Sequence, residues 1–278
     1  MKIDKIIEEA LIEDIGDGDH TSLSTIPENA TGSAQLMIKE DGILAGVDIA
    51  EQVFKKVDPE IHFEIFIQDG SKVKKGDIVF KVTGKSISIL TAERLALNFM
   101  QRMSGIASFT HKITKQTIGL STKILDTRKT TPLLRELEKY AVRMGGGENH
   151  RMGLYDMVMI KDNHIDFAGG ISQAIDSTKN YLKANNKDLK IEIEVRDFDE
   201  LQQVLDFGGV DRIMLDNFTP GDLKNAVEKI GRKYETEASG GITIETIRSY
   251  AETGVDYISV GALTHQIKSL DMSLLAIE

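Results

Sequence analysis

The sequence predicts an α/β protein in which a parallel sheet built from βα units follows an N-terminal α+β region. The 278 residues suffice for one large barrel, or for a barrel with a small companion domain. Short segments that alternate apolar and polar residues fill the first third, as in an antiparallel sheet. From Lys123 onwards, short apolar runs alternate with helical segments, which is typical of strands buried on both faces.

The N-terminal region opens with an amphipathic segment over residues 3–11. Alternating segments at 34–38 and 62–67 predict strands, and the pairs Asp69-Gly70 and Thr83-Gly84 predict hairpin turns. Together these elements predict an antiparallel sheet.

A long helix is predicted next, with Thr91 as its cap. Apolar residues recur at spacings of three and four from Leu95 to Ile113. Gly105 interrupts this pattern and marks either a break or a close packing contact. Arg94 would lie in the first turn, where a cation opposes the helix dipole. By itself, it is equally compatible with an exposed surface arginine.

The second region alternates strands and helices in order. We expect its first helix to begin at Pro132, with Thr131 as cap and Gly145 at its end. The predicted strands are 123–125, 157–160, 191–195, 212–215, 234–238 and 257–260. The predicted helices are 132–144, 171–182, one around 201, 223–230 and 244–250.

The composition excludes several classes of function. There are no cysteines, so disulfides, thiolate nucleophiles and cysteine-ligated metal centres are ruled out. A net charge of −10 argues against broad binding to nucleic acids or anionic membranes. No apolar run reaches the roughly 20 residues that cross a bilayer. The acidic N-terminus lacks the features of a signal peptide, so we expect a cytoplasmic protein.

The chemistry is expected where the strands end, because barrel active sites lie at the carboxyl ends of their strands. Cations follow the first two strands, carboxylates lie near the ends of the next two, and small residues follow the last two. These segments are 126–131, 161–164, Glu194, Asp216 with Asn217, 239–241 and 261–262, with the loop 145–151 before the second strand.

Each group has a chemical interpretation. Cations can bind carboxylates or phosphates, and the candidates are Arg128, His150, Arg151 and Lys161. Carboxylate oxygens of Glu194 and Asp216 suit Mg²⁺, which usually keeps substrate phosphates as further ligands. Glycine loops at strand ends often bind phosphate. The set predicts a site for an anionic small molecule and a metal-bridged phosphate compound. Solvated loop cations, a structural partner for Glu194 and simple tight turns remain the alternatives.

The motifs resemble those of the quinolinate phosphoribosyltransferase family, the decarboxylating nicotinate-nucleotide pyrophosphorylases. The similarity runs in order through nearly the whole chain, and the set is far more specific than any single glycine pattern. The motifs are TAER at 91–94, LN at 97–98, SGIA at 104–107, DTRKT at 126–130, EKYAVR at 138–143, GGGENHR at 145–151, IKDNH at 160–164, EIE at 192–194, LDNF at 215–218, SGG at 239–241 and VGALT at 260–264.

The resemblance implies an incomplete parallel α/β-barrel with an N-terminal α+β sandwich domain. The implied domains are 1–106, joined by the tail 266–278, and a barrel over 107–265. It also implies a homodimer or higher homo-oligomer, in which Arg94 reaches the neighbour's site and binds a quinolinate carboxylate.

The resemblance assigns the site residues. Arg128, His150, Arg151 and Lys161 would hold the dicarboxylate, and Lys129 would lie near the pyrophosphate. Thr127 is a further substrate-binding residue. Glu194 and Asp216 would meet the ribose hydroxyls and Mg²⁺, directly or through the substrate. The phosphate would lie against Ser239, Gly240, Gly241, Gly261, Ala262 and Leu263. The catalytic roles would fall to Lys129, Lys161, Glu194 and Asp216.

The implied enzyme is a glycosyltransferase of the pentosyl class that serves de novo NAD biosynthesis. It would convert quinolinate and phosphoribosyl pyrophosphate to nicotinate mononucleotide, pyrophosphate and CO₂. Three alternatives stay open: a related protein associated with molybdenum uptake, a Schiff-base aldolase that uses Lys161, and a non-catalytic sensor of a pyridine or phosphate metabolite.

Overall fold

The computed structural model describes residues 3–277, which form two compact units. The first unit contains the described residues up to His111, then Thr130–Gly146 and the residues from Leu263 onwards. The second contains Lys112–Lys129 and Gly147–Ala262. The predicted domain ends at residues 1 and 278 lie outside the described residues. The predicted barrel domain 107–265 includes residues 130–146, whereas this division groups them with the first unit.

The helices and strands follow one another along the chain, with a 3₁₀ turn at Lys115–Thr117. The helices are α1 (Ile3–Ile15), α2 (His20–Thr25), α3 (Val47–Val57), α4 (Ser86–Thr114), α5 (Arg135–Met144), α6 (Asp162–Ala168), α7 (Ile171–Ala184), α8 (Phe198–Phe207), α9 (Pro220–Ile230), α10 (Ile247–Ala251) and α11 (Ala262–His265). The strands are β1 (Thr31–Ile38), β2 (Gly42–Ile43), β3 (His62–Ile65), β4 (Lys72–Val73), β5 (Ile78–Lys85), β6 (Lys123–Leu125), β7 (Val158–Ile160), β8 (Ile191–Val195), β9 (Arg212–Asp216), β10 (Glu235–Ser239), β11 (Tyr257–Ser259) and β12 (Met272–Ile277).

The first unit is built on an antiparallel sheet with the strand order β12-β1-β5-β3. The C-terminal strand β12 pairs along β1 from Ser33 opposite Ile277, so the tail of the chain belongs to this sheet. Phe54, Phe63 and Phe80 form an aromatic cluster with ring centroids 4.3–6.0 Å apart. Phe54 and Phe80 are almost fully buried, so this cluster is the apolar centre of the unit.

Helix α4 begins earlier than predicted, at Ser86, so the prediction of Thr91 as its cap is wrong. The Thr91 hydroxyl instead donates to Asp19 Oδ2 at 3.1 Å. The helix continues through Gly105, where an added Cβ would lie 2.3 Å from the carbonyl oxygen of Lys268. Of the two predicted roles for this glycine, close packing is therefore the correct one.

The second unit is built on a six-stranded parallel sheet with the order β6-β11-β10-β9-β8-β7. Every predicted strand is present within one residue of its predicted bounds. Among residues 3–277, no hydrogen-bonded ladder joins β7 to β6, so the barrel is incomplete. Helices lie in the chain segments that connect successive strands, as expected for βα units.

Helix α5 begins three residues later than predicted, at Arg135. Leu133 has a φ of 68°, which is incompatible with a right-handed helix at that position. Its predicted end before Gly145 is correct. Tyr140 Oη donates to Asp69 Oδ2 at 2.8 Å, so α5 contacts the N-terminal part of the first unit, to which it belongs.

None of the helices in the described part of the chain combines the length and the apolar character that crossing a membrane requires.

Candidate active site

The carboxyl ends of the parallel strands lie at one edge of the sheet in the second unit. Lys161 follows β7, Glu194 lies near the end of β8, Asp216 ends β9 and Ser239 ends β10. These four strands are consecutive neighbours in the sheet. The topology therefore brings residues that are far apart in sequence to one edge, as expected for a barrel active site.

Lys161 and Glu194 form an ion pair. Ile160 lies opposite Ile193 in the ladder between β7 and β8, so the next residues of both strands are neighbours. Glu194 is buried, whereas the Lys161 side chain is 43% exposed. The pair is anchored on its carboxylate side and open to solvent on its ammonium side.

Asp216 and Ser239 are register partners at the ends of β9 and β10. Asn217 follows with a φ of 57°, and its backbone N–H donates to the Ser239 carbonyl at 2.8 Å. Its side-chain amide donates to Asp216 Oδ2 at 2.5 Å. An added Cβ at Gly240 would lie 2.2 Å from Asn217 Oδ1. Only glycine fits there, because any other side chain would displace the asparagine that orients Asp216.

The loops after β10 and β11 differ from each other. Gly241 is exposed with a φ of 58°, and a Cβ there would meet open space. After β11, Gly261 leads within one residue into the four-residue helix α11, which contains Ala262 and Leu263. The small-residue segment predicted here is thus the start of a helix. Leu263 is fully buried and belongs to the first unit.

Asp126 organises the segment that follows β6. It is fully buried, and its carboxylate accepts the backbone N–H of His150 at 2.9 Å and the amide of Asn149 at 2.5 Å. Beyond it, Thr127 Oγ1 accepts the backbone N–H of Lys129 at 3.1 Å. One buried carboxylate therefore holds together the two segments that carry Arg128 and Arg151.

Arg151 and Arg128 lie close enough for their like charges to repel. The pKa of Arg151 is lowered, first because its guanidinium is desolvated and then because Arg128 lies nearby. Arg151 Nη1 also donates to the Met157 carbonyl at 3.2 Å. Two guanidinium groups in partial burial favour binding of a multiply charged anion, which would relieve their repulsion.

His150 directly precedes Arg151 in the chain and is 7% exposed. Its Nδ1 accepts the backbone N–H of Arg151 at 2.7 Å. Its Nε2 lies 3.0 Å from Glu192 Oε2 and 3.3 Å from Glu237 Oε2. Burial lowers the pKa of His150, but the two carboxylates outweigh it and raise the pKa to about 9.

The interior of the barrel contains several buried charged side chains. Arg212 Nη1 lies 3.0 Å from Glu237 Oε2, and its Nη2 donates to Glu235 Oε2 at 3.1 Å. The Arg212 guanidinium lies over the Tyr257 ring, 4.0 Å from its centroid. Glu192 and Glu237 are completely buried. Sequence reasoning assigned no role to this layer, although the alternation in IEIEV and ETEAS places an acidic residue at successive inward positions.

Arg94 is exposed and lies in the third turn of α4, not in the first. The expected conflict with the helix dipole is therefore absent, because that effect is confined to the first turn. Arg94 belongs to the first unit.

Lys161 directly precedes the short helix α6, which the sequence did not predict. His164 Nδ1 accepts the backbone N–H of Lys161 at 2.9 Å, and Asp162 Oδ1 accepts that of Asn163 at 2.7 Å. Both side chains therefore shape the start of this helix.

Comparison with known protein families gives matches over nearly the whole chain. Residues 19–104 match the model of the N-terminal domain of quinolinate phosphoribosyl transferase. Residues 106–275 match the model of its C-terminal domain.

Individual relatives are similar in sequence and in structure. The chain is 49% identical to the quinolinate phosphoribosyltransferase [decarboxylating] 1b of Nicotiana tabacum, covering 97% of this chain and 81% of that protein. The crystal structure of NadC from Streptococcus pyogenes superposes with a TM-score of 0.94 at 38% identity, over 99% of this chain and 97% of that one. The nicotinate-nucleotide pyrophosphorylase of Francisella tularensis gives a TM-score of 0.93 at 41% identity, over 99% and 96%.

Proposed function

The chain belongs to the quinolinate phosphoribosyltransferase family, and we propose that its barrel performs this family's reaction with the residues described above. The enzyme joins quinolinate to phosphoribosyl pyrophosphate and releases nicotinate mononucleotide, pyrophosphate and CO₂, a step of de novo NAD biosynthesis. The observation that carries the assignment of residues is the repulsive pair Arg128 and Arg151, because a dicarboxylate is the kind of ligand that such a pair binds.

Quinolinate lies against the cationic side of the site. Arg128 and Arg151 each offer a planar fork that matches a carboxylate, whereas Lys161 offers a point charge. Lys161 would exchange part of its contact with Glu194 for the substrate. A Schiff-base role for Lys161 is disfavoured, because imine formation needs a free amine and this lysine forms an ion pair.

Phosphoribosyl pyrophosphate lies along the other strand ends. Glu194 and Asp216 accept hydrogen bonds from the ribose hydroxyls, and Thr127 and Lys129 face the pyrophosphate. The 5-phosphate is bound by backbone N–H groups and small side chains of the last two loops. These residues are Ser239, Gly240, Gly241, Gly261, Ala262 and Leu263.

The carboxylates fit a magnesium ion. Glu194 and Asp216 lie on neighbouring strands, and both are hard oxygen donors. Asp216 is half-buried and is oriented by Asn217, which leaves one of its oxygens without a contact to that amide. Bound Mg²⁺ would supply positive charge to the pyrophosphate, held by these carboxylates directly or through the substrate.

In the reaction, the ring nitrogen of quinolinate attacks the anomeric carbon while the bond to pyrophosphate breaks. Arg128 and Arg151 hold the acceptor in line, and Lys129 stabilises the negative charge that develops on the leaving group. The cationic ring nitrogen of the nucleotide then stabilises the electron pair left when the adjacent carboxylate departs as CO₂. A proton takes the place of that carboxylate.

We further propose that the enzyme acts as a homodimer or larger homo-oligomer, in which the exposed Arg94 of one subunit binds substrate in its neighbour's site. Size-exclusion chromatography with light scattering tests the assembly. Mixing Arg94→Ala subunits with subunits disabled at Arg128 tests the shared site, because mixed dimers would regain activity at half of their sites. The cytoplasmic location stays a prediction from the sequence.

The primary test is incubation with quinolinate, phosphoribosyl pyrophosphate and Mg²⁺. Nicotinate mononucleotide is followed by chromatography, and CO₂ by release from carboxyl-labelled quinolinate. We expect both products together and only with the metal. A folded protein that binds phosphoribosyl pyrophosphate but forms neither product would contradict the proposal and favour the related protein associated with molybdenum uptake.

A further inference from the structure

Asn217 directly follows β9 and has a left-handed backbone, with a φ of 57°. Asparagine adopts this conformation more readily than most residues, but less readily than glycine. The residue still extends the ladder of the sheet, because its backbone N–H donates to the Ser239 carbonyl at 2.8 Å. Two positions later, Thr219 caps α9. The left-handed residue therefore leads from the sheet into the next helix while the end of β9 stays bonded to β10.

The side chain of Asn217 contacts two neighbouring segments. Its amide nitrogen donates to Asp216 Oδ2 at 2.5 Å. Its Oδ1 and Cγ lie against Gly240, where an added Cβ would be 2.2 Å from Oδ1 and 2.7 Å from Cγ. Gly240 has a φ of 100°, so it is held in a conformation that disfavours other residues. One amide thus contacts both the carboxylate that ends β9 and the glycine loop that follows β10.

A second asparagine in the same unit shows what a left-handed residue does when its role is structural. Asn186 has a φ of 49° and lies just after α7, where its backbone N–H donates to the Lys183 carbonyl at 3.3 Å. Its side chain is exposed. A left-handed residue commonly ends a helix in this way. Asn217 differs, because its side chain lies between two groups that are proposed to bind the same substrate.

The backbone requirement at position 217 does not explain the amide. Glycine would adopt the same φ at lower cost and would keep the N–H that donates to Ser239. It would lose the hydrogen bond to Asp216 and the packing against Gly240. The side chain therefore has a function that is separable from the turn, and that function concerns the relative placement of Asp216 and the loop.

We propose that Asn217 is a positioning residue that holds the Asp216 carboxylate and the loop 239–241 in one fixed arrangement, so that they bind the ribose and the phosphate of the same phosphoribosyl pyrophosphate molecule. By donating to Oδ2, the amide sets the direction in which Oδ1 faces a ribose hydroxyl or the metal. Partners that orient a ligating carboxylate in this way typically contribute about 10- to 100-fold to affinity or activity. The inference rests on the proposed function and deepens it, because it concerns how one of the two substrates is bound.

Two substitutions remove the amide without disturbing the turn. Asn217→Gly keeps the left-handed backbone, and Asn217→Asp keeps the shape of the side chain but turns the donor into a carboxylate that repels Asp216. Calorimetric titration with phosphoribosyl pyrophosphate and Mg²⁺, without quinolinate, should give a Kd about 10- to 30-fold higher in Asn217→Gly. The increase in Asn217→Asp should be at least as large. Circular dichroism and thermal unfolding check that both variants are folded.

The effect should be confined to one substrate. In steady-state kinetics, KM for phosphoribosyl pyrophosphate should rise with the Kd, whereas KM for quinolinate should change by less than about twofold, because the amide contacts neither Arg128 nor Arg151. Asn217→Ala should lose as much affinity and also unfold at a lower temperature, since a Cβ is disfavoured at this φ. The same substitutions at Asn186 are the matched controls and should leave the Kd unchanged.

The loop provides a reciprocal test. In the wild-type background, Gly240→Ala places a methyl group against the Asn217 amide and should raise the Kd about 10-fold or more. In the Asn217→Gly background, Oδ1 and Cγ are gone, so the same substitution should raise the Kd by a smaller factor. The two substitutions should therefore be non-additive, as expected for residues in contact.

Three outcomes would overturn the inference while leaving the proposed function intact. These are an unchanged Kd in folded Asn217→Gly, equal increases of KM for both substrates, and additive effects of Gly240→Ala and Asn217→Gly. A wild-type protein that binds phosphoribosyl pyrophosphate but forms no nicotinate mononucleotide would instead remove the proposed function, and calorimetry would still test the role of Asn217.

Discussion

In the first unit, Phe54 of α3 packs against Phe63 and Phe80 of the antiparallel sheet, whereas the barrel of the second unit encloses Glu192 and Arg212. The aromatic cluster gains free energy from the removal of apolar surface from water and is insensitive to its exact orientation. The charged layer gains little net stability, because desolvation offsets the attraction between its charges. It does fix directions, since each hydrogen bond has a defined geometry. The comparison teaches that stability and precise orientation are concentrated in different parts of this chain.

The largest effect should come from the aromatic cluster. Phe80→Ala removes a ring that is 1% exposed and should lower the free energy of unfolding by about 3–5 kcal/mol. Activity per folded molecule should stay close to that of the wild type. Urea unfolding measures the first quantity, and assays below the transition measure the second. Phe66→Ala, at an exposed position, is the control and should shift stability by less than about 0.5 kcal/mol. A catalytic defect in Phe80→Ala without loss of stability would break the comparison.

The converse pattern is expected at the arginine pair. Arg128→Ala or Arg151→Ala should leave the fold intact. Each should weaken transition-state stabilisation by about 2–5 kcal/mol, which lowers kcat/KM for quinolinate roughly 30- to 5,000-fold. The kcat/KM of Arg151→Lys should lie between those of the wild type and Arg151→Ala, because lysine keeps the positive charge but lacks the planar guanidinium that binds a carboxylate with two hydrogen bonds. Steady-state kinetics measures the loss of kcat/KM, and thermal unfolding checks that the fold is intact. The exposed Lys224→Ala on α9 is the control. Near-normal turnover in either alanine variant would remove that arginine from the site.

A smaller change tests the charged layer alone. Tyr257→Phe removes the hydroxyl that lies 3.3 Å from Glu235 Oε1 and keeps the ring beneath Arg212. We expect a loss of about 0.5–1.5 kcal/mol of stability. Tyr257→Leu also removes the cation–π contact and should cost about 0.5–2 kcal/mol more. Chemical unfolding of both variants gives the difference. Identical stabilities for Phe and Leu would show that the ring contributes nothing to the layer.

The smallest effect concerns pH. The pKa of Asp58 is lowered, first by the backbone N–H of Glu60 and then by the hydroxyl of Ser88. A carboxyl group with a lowered pKa contributes stability above its unfolded pKa of about 3.9, and that contribution is lost as the pH falls through the folded pKa. Asp58→Asn should therefore cost about 1 kcal/mol near pH 7 and progressively less as the pH falls through the folded pKa of Asp58. Thermal unfolding across this range checks the sign, and a pH-independent loss would contradict the assignment.

Much of the fold could be predicted from local sequence. The strands of the barrel are short, apolar and separated by helices, so their order and bounds follow from periodicity alone. The carboxyl-end rule then located Lys161, Glu194, Asp216 and Ser239 at one edge. Errors occur where a longer-range contact overrides a local preference. Thr91 resembles a cap, but its hydroxyl contacts Asp19 and the helix begins five residues earlier.

The sequence by itself determined the two-part α/β organisation, the succession of strands and helices along the chain, and the family to which the chain belongs. Hydrophobic periodicity and motif spacing are local properties of the chain. Only the tertiary structure decided which charges meet. His150 and Glu237 are separated by 87 positions, and the parallel ladder from β8 to β10 is what places Glu192 and Glu237 around the same imidazole. Electrostatic energies depend on distance in space, so the charges that surround a buried histidine follow from the fold and not from its neighbours in sequence.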